Sequence, residues 1–351
     1  MSRMRPRLGV LGRVEGLPIA VVLAVLYGVF MLTAPSVFLG YRIYMSFFQT
    51  VPPLLVLGIG LTFVITAGEI DLSFPAVVAL SGFVFTWWFK NFGTPLVGFV
   101  LALASGGLVG YVNGLLVARL RVPSIMATLA AQFFWYGVTV LIAGGLQIDI
   151  AAIVPTAIHT IFVGRLFGVF PVQALWSVGL VVFFWFILNR HKFGEAIMFI
   201  GDNAEVARVM GINVESTRIR LFVMNGVLAA FAGLLLTMEI NVFFPTQGSA
   251  FLLSVMAAVF IGGTSIAGGQ GVMVGTLFGS YIIGSLEAGV VASGIGGYWV
   301  QLVEGLVMAA VVVLNIVIGE EGVSVLARAA RKWAVPSGGQ PEPQPHEGAK
   351  K

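Results

Sequence analysis

Glu69-Ile70-Asp71-Leu72-Ser73 puts two carboxylates two positions apart at the end of a long apolar run. At membrane depth an ionisable group costs about 2.5–3.5 kcal/mol on insertion scales, so it persists only where a partner or a function keeps it. Two roles are open here. The carboxylates could line a polar path, or Asp71 and Ser73 could cap a helix starting near Phe74-Pro75. Glu239, Glu287 and Glu304 also fall at or within apolar runs. Gln301 and Glu304 are three apart and share one helix face, where they could line a path or bond neighbouring helices. Asn113 lies beside Gly106, Gly110 and Gly114, and Gly275 and Gly279 repeat the same four-residue spacing. That spacing lets helix backbones approach closely. Asn113 could face a solute or bond across such a contact.

A second cluster lies in residues 190–217. Asp202-Asn203-Ala204-Glu205 reads as a capping box, with an acceptor at the helix start and a carboxylate three residues on. Gly211 then supplies a stop. The helix between them carries Ala204, Val206, Ala207, Val209 and Met210. About eight residues do not hold a helix in water unaided. Its apolar face must be covered, either by a cytoplasmic partner or by the protein's own helices and the lipid surface.

Other chemistries lack their residues. A phosphate-cradling Walker loop needs Gly-Lys followed by Ser or Thr. The five lysines follow Phe, His, Arg, Ala and Lys, so the chain has no Gly-Lys pair. Gly268-Gly269-Gln270-Gly271 reads as a tight turn. His159, His191 and His346 are scattered, and there is no cysteine. No metal cluster or nucleophile–base pair presents itself.

The elements that position these residues follow from composition. The 351 residues are 58% hydrophobic and 10% charged, where soluble domains run about 45–50% and about 25%. The excess must face lipid. Apolar runs of spanning length predict helices at 17–34, 46–67, 74–90, 96–117, 123–143, 171–189, 218–239, 250–264, 271–291 and 297–318. Pro52-Pro53 should kink or restart the second. The short 74–90 and 250–264 spans suggest half-helices around a binding site. Alternating from a cytoplasmic N-terminus leaves sixteen Lys and Arg inside and only Arg42, Lys90 and Arg165 outside, the asymmetry of the positive-inside rule. The basic start resembles a signal peptide, but the 18-residue run with no A-x-A site predicts a retained first helix. The expected fold is an all-α integral membrane protein of about ten transmembrane helices, some short or broken, with N- and C-termini cytoplasmic. A charged, Pro-rich stretch from Gly319 predicts a disordered tail. Val64–Gly82 and Val259–Gly279 echo each other, as repeats or by chance.

The residues then carry a pattern that resembles the ribose-type sugar permeases, membrane subunits of bacterial ABC importers. Gly68-Glu69-Ile70-Asp71-Leu72-Ser73 matches that family's Gly-(Gly/Glu)-Ile-Asp-Leu-Ser segment. Asn113-Gly114-Leu115-Leu116-Val117 and the basic turn Arg119 to Pro123 match a second, with Thr128-Leu129 following. Ile200-Gly201-Asp202-Asn203, Ala207 and Gly211-Ile212 match a third, and Gly262-Gly263-Thr264-Ser265 with Gly268-Gly269 and Gly275-Thr276 a fourth. The order holds over roughly 45–315. The chain departs from the pattern at Phe74-Pro75 and Glu287-Ala288-Gly289.

Apolar runs and charge divide the chain into a cytoplasmic segment at 1–16, a transmembrane domain at 17–318 and a cytoplasmic tail at 319–351, and the resemblance makes the middle part a permease domain. It implies an ATPase-coupling loop with Glu195, Gly201, Asp202, Asn203, Ala207, Arg208 and Gly211. Glu69, Asp71, Asn113, Thr128, Gln301 and Glu304 are the candidate pathway residues. The implied partners are a second permease chain, most simply an identical one, cytoplasmic ABC ATPase subunits, an extracytoplasmic solute-binding protein and the bilayer, with no nucleic acid. ATP and Mg would be used by the ATPase, this chain binding no cofactor. The implied cargo is a monosaccharide or similar neutral solute, with a nucleoside, polyol or signalling sugar as alternatives. An ion-coupled secondary transporter using Glu69, Asp71 or Glu304 is the runner-up.

Overall fold

Long apolar runs become helices because in lipid each backbone N–H and C=O must bond within its own segment. The computed structural model describes residues 15–294 and 296–300, with scattered positions from 302 to 309. The N-terminal arginines, Gln301, Glu304, His346, most of the 297–318 span and the tail lie outside the described residues. The first six helices are α1 (Leu17–Thr33), α2 (Pro35–Phe38), α3 (Tyr41–Thr66), α4 (Phe74–Phe92), α5 (Pro95–Ala118) and α6 (Ser124–Ile142). An irregular segment follows, with β1 (Ile148–Asp149), α7 (Ala157–Val163), β2 (Arg165–Leu166) and β3 (Phe170–Pro171). Then come α8 (Val172–Arg190), α9 (Lys192–Val209), α10 (Val214–Ile240), β4 (Val242–Phe243), α11 (Phe251–Ile261) and α12 (Met273–Ala292). Each predicted span from 17–34 to 271–291 falls on one of these helices. By length and composition α3, α5, α6, α8, α10 and α12 can cross a membrane, while α1 and α11 are shorter apolar helices.

At the centre stand α3 and α10. Of their most apolar stretches 83% and 72% is buried, against 22% for α6. On α6 the large side chains Met126, Phe133, Phe134 and Leu141 are exposed, an apolar face suited to lipid or a partner chain rather than to water. The glycine stripe of α5 lies on α10: a Cβ on Gly106 or Gly110 would run into the carbonyls of Gly226 or Phe222, and one on Gly114 would sit 2.8 Å from Ile219 Cα. Gly275 and Gly279 of α12 meet Gly262 and Ala258 at the end of α11 in the same way.

Instead of restarting at Pro52-Pro53, α3 runs through both as one helix from Tyr41. Proline removes a donor and frees a carbonyl one turn back. The freed Gln49 carbonyl accepts from Gln173 Nε2 of α8 at 2.6 Å, so the neighbouring helix supplies the missing bond.

The sequence echo has a structural counterpart. After α3, Gly68 takes φ +76° and Glu69 N–H donates back to the Val64 carbonyl at 3.1 Å. After α11, Gly263 takes φ +90° and Thr264 N–H donates to the Val259 carbonyl at 3.3 Å. Both are six-residue helix-ending turns that need a left-handed residue.

Candidate functional site

Between α3 and α4 the chain is unwound over residues 67–73, and its backbone groups need partners. A polar stripe on α6 provides them at successive turns. Ser124 Oγ accepts from Ile70 N–H (3.1 Å), Thr128 Oγ1 from Leu72 N–H (3.0 Å) and Gln132 Oε1 from Ala76 N–H (2.8 Å). Gln132 thus satisfies the first turn of α4. Asp71 makes a local turn, its Oδ1 accepting from Ser73 N–H (2.8 Å) and Ser73 Oγ (2.6 Å). Its Oδ2 accepts from Asn225 Nδ2 of α10 at 2.8 Å, and Asn113 Nδ2 of α5 donates to Ser73 Oγ at 2.8 Å. Asp71, Ser73, Asn113, Thr128 and Asn225 are all buried, and Asn113 Oδ1 has no hydrogen-bond partner among the described residues. Gly60 makes room for Asn225 Oδ1, where any side chain would collide. The unwound segment, α4, α5, α6 and α10 therefore share one polar seam.

Of the sequence candidates, Asp71, Asn113 and Thr128 come together in this seam. Glu69 does not join them; it turns to the basic end of the bundle, where its Oε1 lies 2.8 Å from Arg218 Nε. Glu287 is exposed on α12. Glu239 belongs to a separate knot at the opposite end. It accepts from Gln49 Nε2 and, at 2.8 Å, from Gln173 Nε2, while Arg165 donates to Gln49 Oε1 at 3.0 Å. Nearby, His159 of α7 packs against α10, and burial holds its imidazole pKa below the ordinary value despite hydrogen bonds to the Met238 backbone and the Asn241 side chain. Sequence reasoning missed Ser124, Gln132 and Asn225. The first two were findable as a polar repeat with Thr128 at i, i+4, i+8 on an otherwise apolar helix. Asn225 stands alone among apolar neighbours and carries no such pattern.

In the cytoplasmic-loop candidate, α9 breaks at Asn203, whose φ/ψ of −159°/107° is not helical. Asn203 Oδ1 accepts from Glu205 N–H (3.0 Å) and Val206 N–H (3.1 Å). The cap is therefore Asn203, one residue beyond the expected Asp202, because only an extended residue at the break can turn its side chain onto these N–H groups. Gly211, at φ +85°, ends the helix. Ala207 is fully buried and packs with Ile200 and Val214. Val206, Val209 and Met210 are exposed, Val209 at 90%. Glu195, Asp202, Asn203, Arg208 and Gly211 are exposed as well. Gly201 has no room for a Cβ against the Thr66 carbonyl and Gly269 N, and Gly269 N–H donates to that same carbonyl at 2.9 Å. The segment is thus jointed, backbone on backbone, to the end of α3 and to the turn between α11 and α12.

Six helices long and apolar enough to cross a membrane, packed around a polar seam at an unwound segment, define a multi-pass membrane protein, and its kinship makes it a permease of the bacterial cell membrane. The chain belongs to the family of branched-chain amino acid transport system permease components, whose model matches residues 43–312. It is 33% identical to the ribose import permease protein RbsC of Bacillus subtilis over 261 residues, 73% of this chain and 79% of the relative. The ribose import permease protein RbsC of Escherichia coli is 33% identical over 262 residues, 74% and 81% of the two chains. The autoinducer 2 import system permease protein LsrC of Yersinia pseudotuberculosis is 32% identical over 270 residues, 76% and 75%. No solved structure matches the chain.

Proposed function

We propose that this chain is the membrane-spanning subunit of an ATP-driven importer for a monosaccharide or similar neutral polar solute. The kinship with ribose import permeases supports the solute class. A signalling sugar is the second reading, favoured by the autoinducer 2 permease at nearly equal identity. In this reading the chain crosses the membrane ten times with both ends cytoplasmic, since the basic ends of α5, α8 and α10 then face inward. Two copies form the pathway. A binding protein delivers the solute outside, and ATPase subunits hydrolyse Mg-ATP inside. The permease itself catalyses no reaction and binds no cofactor.

The observation that carries the mechanism is the helix 204–209. Its exposed Val206 and Val209, with Met210 just beyond its end, offer the ATPase an apolar contact. Its buried root on Ile200, Ala207 and Val214 and the Gly201–Thr66–Gly269 joint pass a push to α3, α10 and α12. Movement there would reopen the polar seam to one side or the other. Asp71, Asn113 and Thr128 are the pathway candidates within it, with Glu69 at its inner mouth.

The test uses proteoliposomes containing the complete importer. Val206→Asp/Val209→Asp should release the ATPase and abolish ATP-driven uptake while the permease stays monodisperse. Full ATPase association and uptake in that variant would refute the coupling role.

A further inference from the structure

At the basic end, a cavity of about 560 Å³ opens between the α5–α6 turn, the start of α10 and the second half of α9. Its walls carry three guanidinium groups, Arg121, Arg208 and Arg218, against two carboxylates, Glu69 and Glu205. Each carboxylate is already committed: Glu69 to Arg218 and Glu205 to Arg208. Arg121 has no ion pair among the described residues, and it holds a left-handed backbone, φ +57°, that a non-glycine residue seldom adopts. The first turn of α6 reaches the same cavity at Ser124, bringing the positive end of a 19-residue helix. The surplus of positive charge is local, and the volume suits a whole small molecule rather than a single side chain.

We propose that this cavity is an anion site for a phosphate-bearing small molecule or headgroup, held by Arg121 with Arg208 and the α6 N-terminus. Guanidinium forks bind phosphate in two-pronged fashion. A neutral solute would leave the surplus charge unanswered. Such an occupant ties the α5–α6 turn to the 204–209 helix and so restrains the element that the importer reading uses for coupling. That consequence rests on the importer reading; binding itself does not.

The experiment places the full chain in nanodiscs of uncharged lipid and titrates inorganic phosphate, followed by phosphorus NMR. Saturable binding is expected. Arg121→Ala should weaken it about tenfold or more, the worth of one charge-assisted contact. Glu205→Gln, which frees Arg208 from its carboxylate, should strengthen it, an effect that misfolding cannot mimic. Arg220→Ala, an exposed arginine outside the cavity, should leave it unchanged. Absence of saturable binding, or equal loss in the Arg121 and Arg220 variants, overturns the site. A second arm adds phosphatidylglycerol to the discs. Displacement of phosphate would support the site with a lipid headgroup as its occupant, and unaffected binding would support it with a free phosphate compound. Because no ATPase is present, failure here is distinct from failure of the coupling test.

Discussion

Replacing Asp71 by Ala removes the acceptor for three donors at once: Ser73 N–H, Ser73 Oγ and Asn225 Nδ2, at 2.8, 2.6 and 2.8 Å. All lie in a buried site, packed tightly enough that Gly60 has no room for a side chain beside Asn225. A buried donor left unpaired costs about 1–3 kcal/mol. Three of them, partly relieved by an entering water, put Asp71→Ala at roughly 3–6 kcal/mol less stable. Asp71→Asn is a sharper probe. It keeps an oxygen for Ser73 but sets one amide N–H against another at Asn225. Adding Asn225→Asp reverses donor and acceptor and restores one bond, so the double variant should recover about 1–3 kcal/mol. The assay is SDS-driven unfolding in mixed micelles, read by tryptophan fluorescence. An Asp71→Ala protein within about 1 kcal/mol of the parent would refute the reasoning. If it also lost uptake, the carboxylate would be serving the solute rather than the seam.

Gly110→Leu should separate α5 from α10, because its Cβ would strike the Phe222 carbonyl; the expected outcome is loss of folded protein by size-exclusion fluorescence, where Gly137→Leu, in open space, is silent. His159 gives a pH dependence. Its folded pKa lies below the ordinary value chiefly through burial, so the unfolded state binds the proton more readily. Stability of the α7 segment is therefore full above about pH 6.5 and falls as pH drops below it, levelling off once the folded imidazole protonates. Hydrogen exchange across 157–163 should quicken on acidification, and His159→Gln should flatten the response.

Much of the fold was legible because lipid imposes a crude rule: an apolar run of sufficient length must close its own hydrogen bonds. That rule places the helices to within a few residues, and the Gly-x-x-x-Gly stripes announce which faces meet. The short helix before Gly211 was legible from its stop and, one residue out, from its cap. Its orientation was not. Ala207 and Val209 are both small apolar residues on one short helix, and only packing against Ile200 and Val214 decides that the first is root and the second is display. The seam had the same limit. Sequence marked Asp71 as costly, but whether it would cap, line a path or bond across helices depended on Asn225, 154 positions away. Pro52-Pro53 likewise read as a kink or a restart, and that the helix runs through both depended on Gln173, 124 residues from Gln49, which supplies the lost bond. Hydrophobic length and period are local properties and survive in one dimension. The partner of a buried polar atom is a contact between distant segments, and only the tertiary structure decides it.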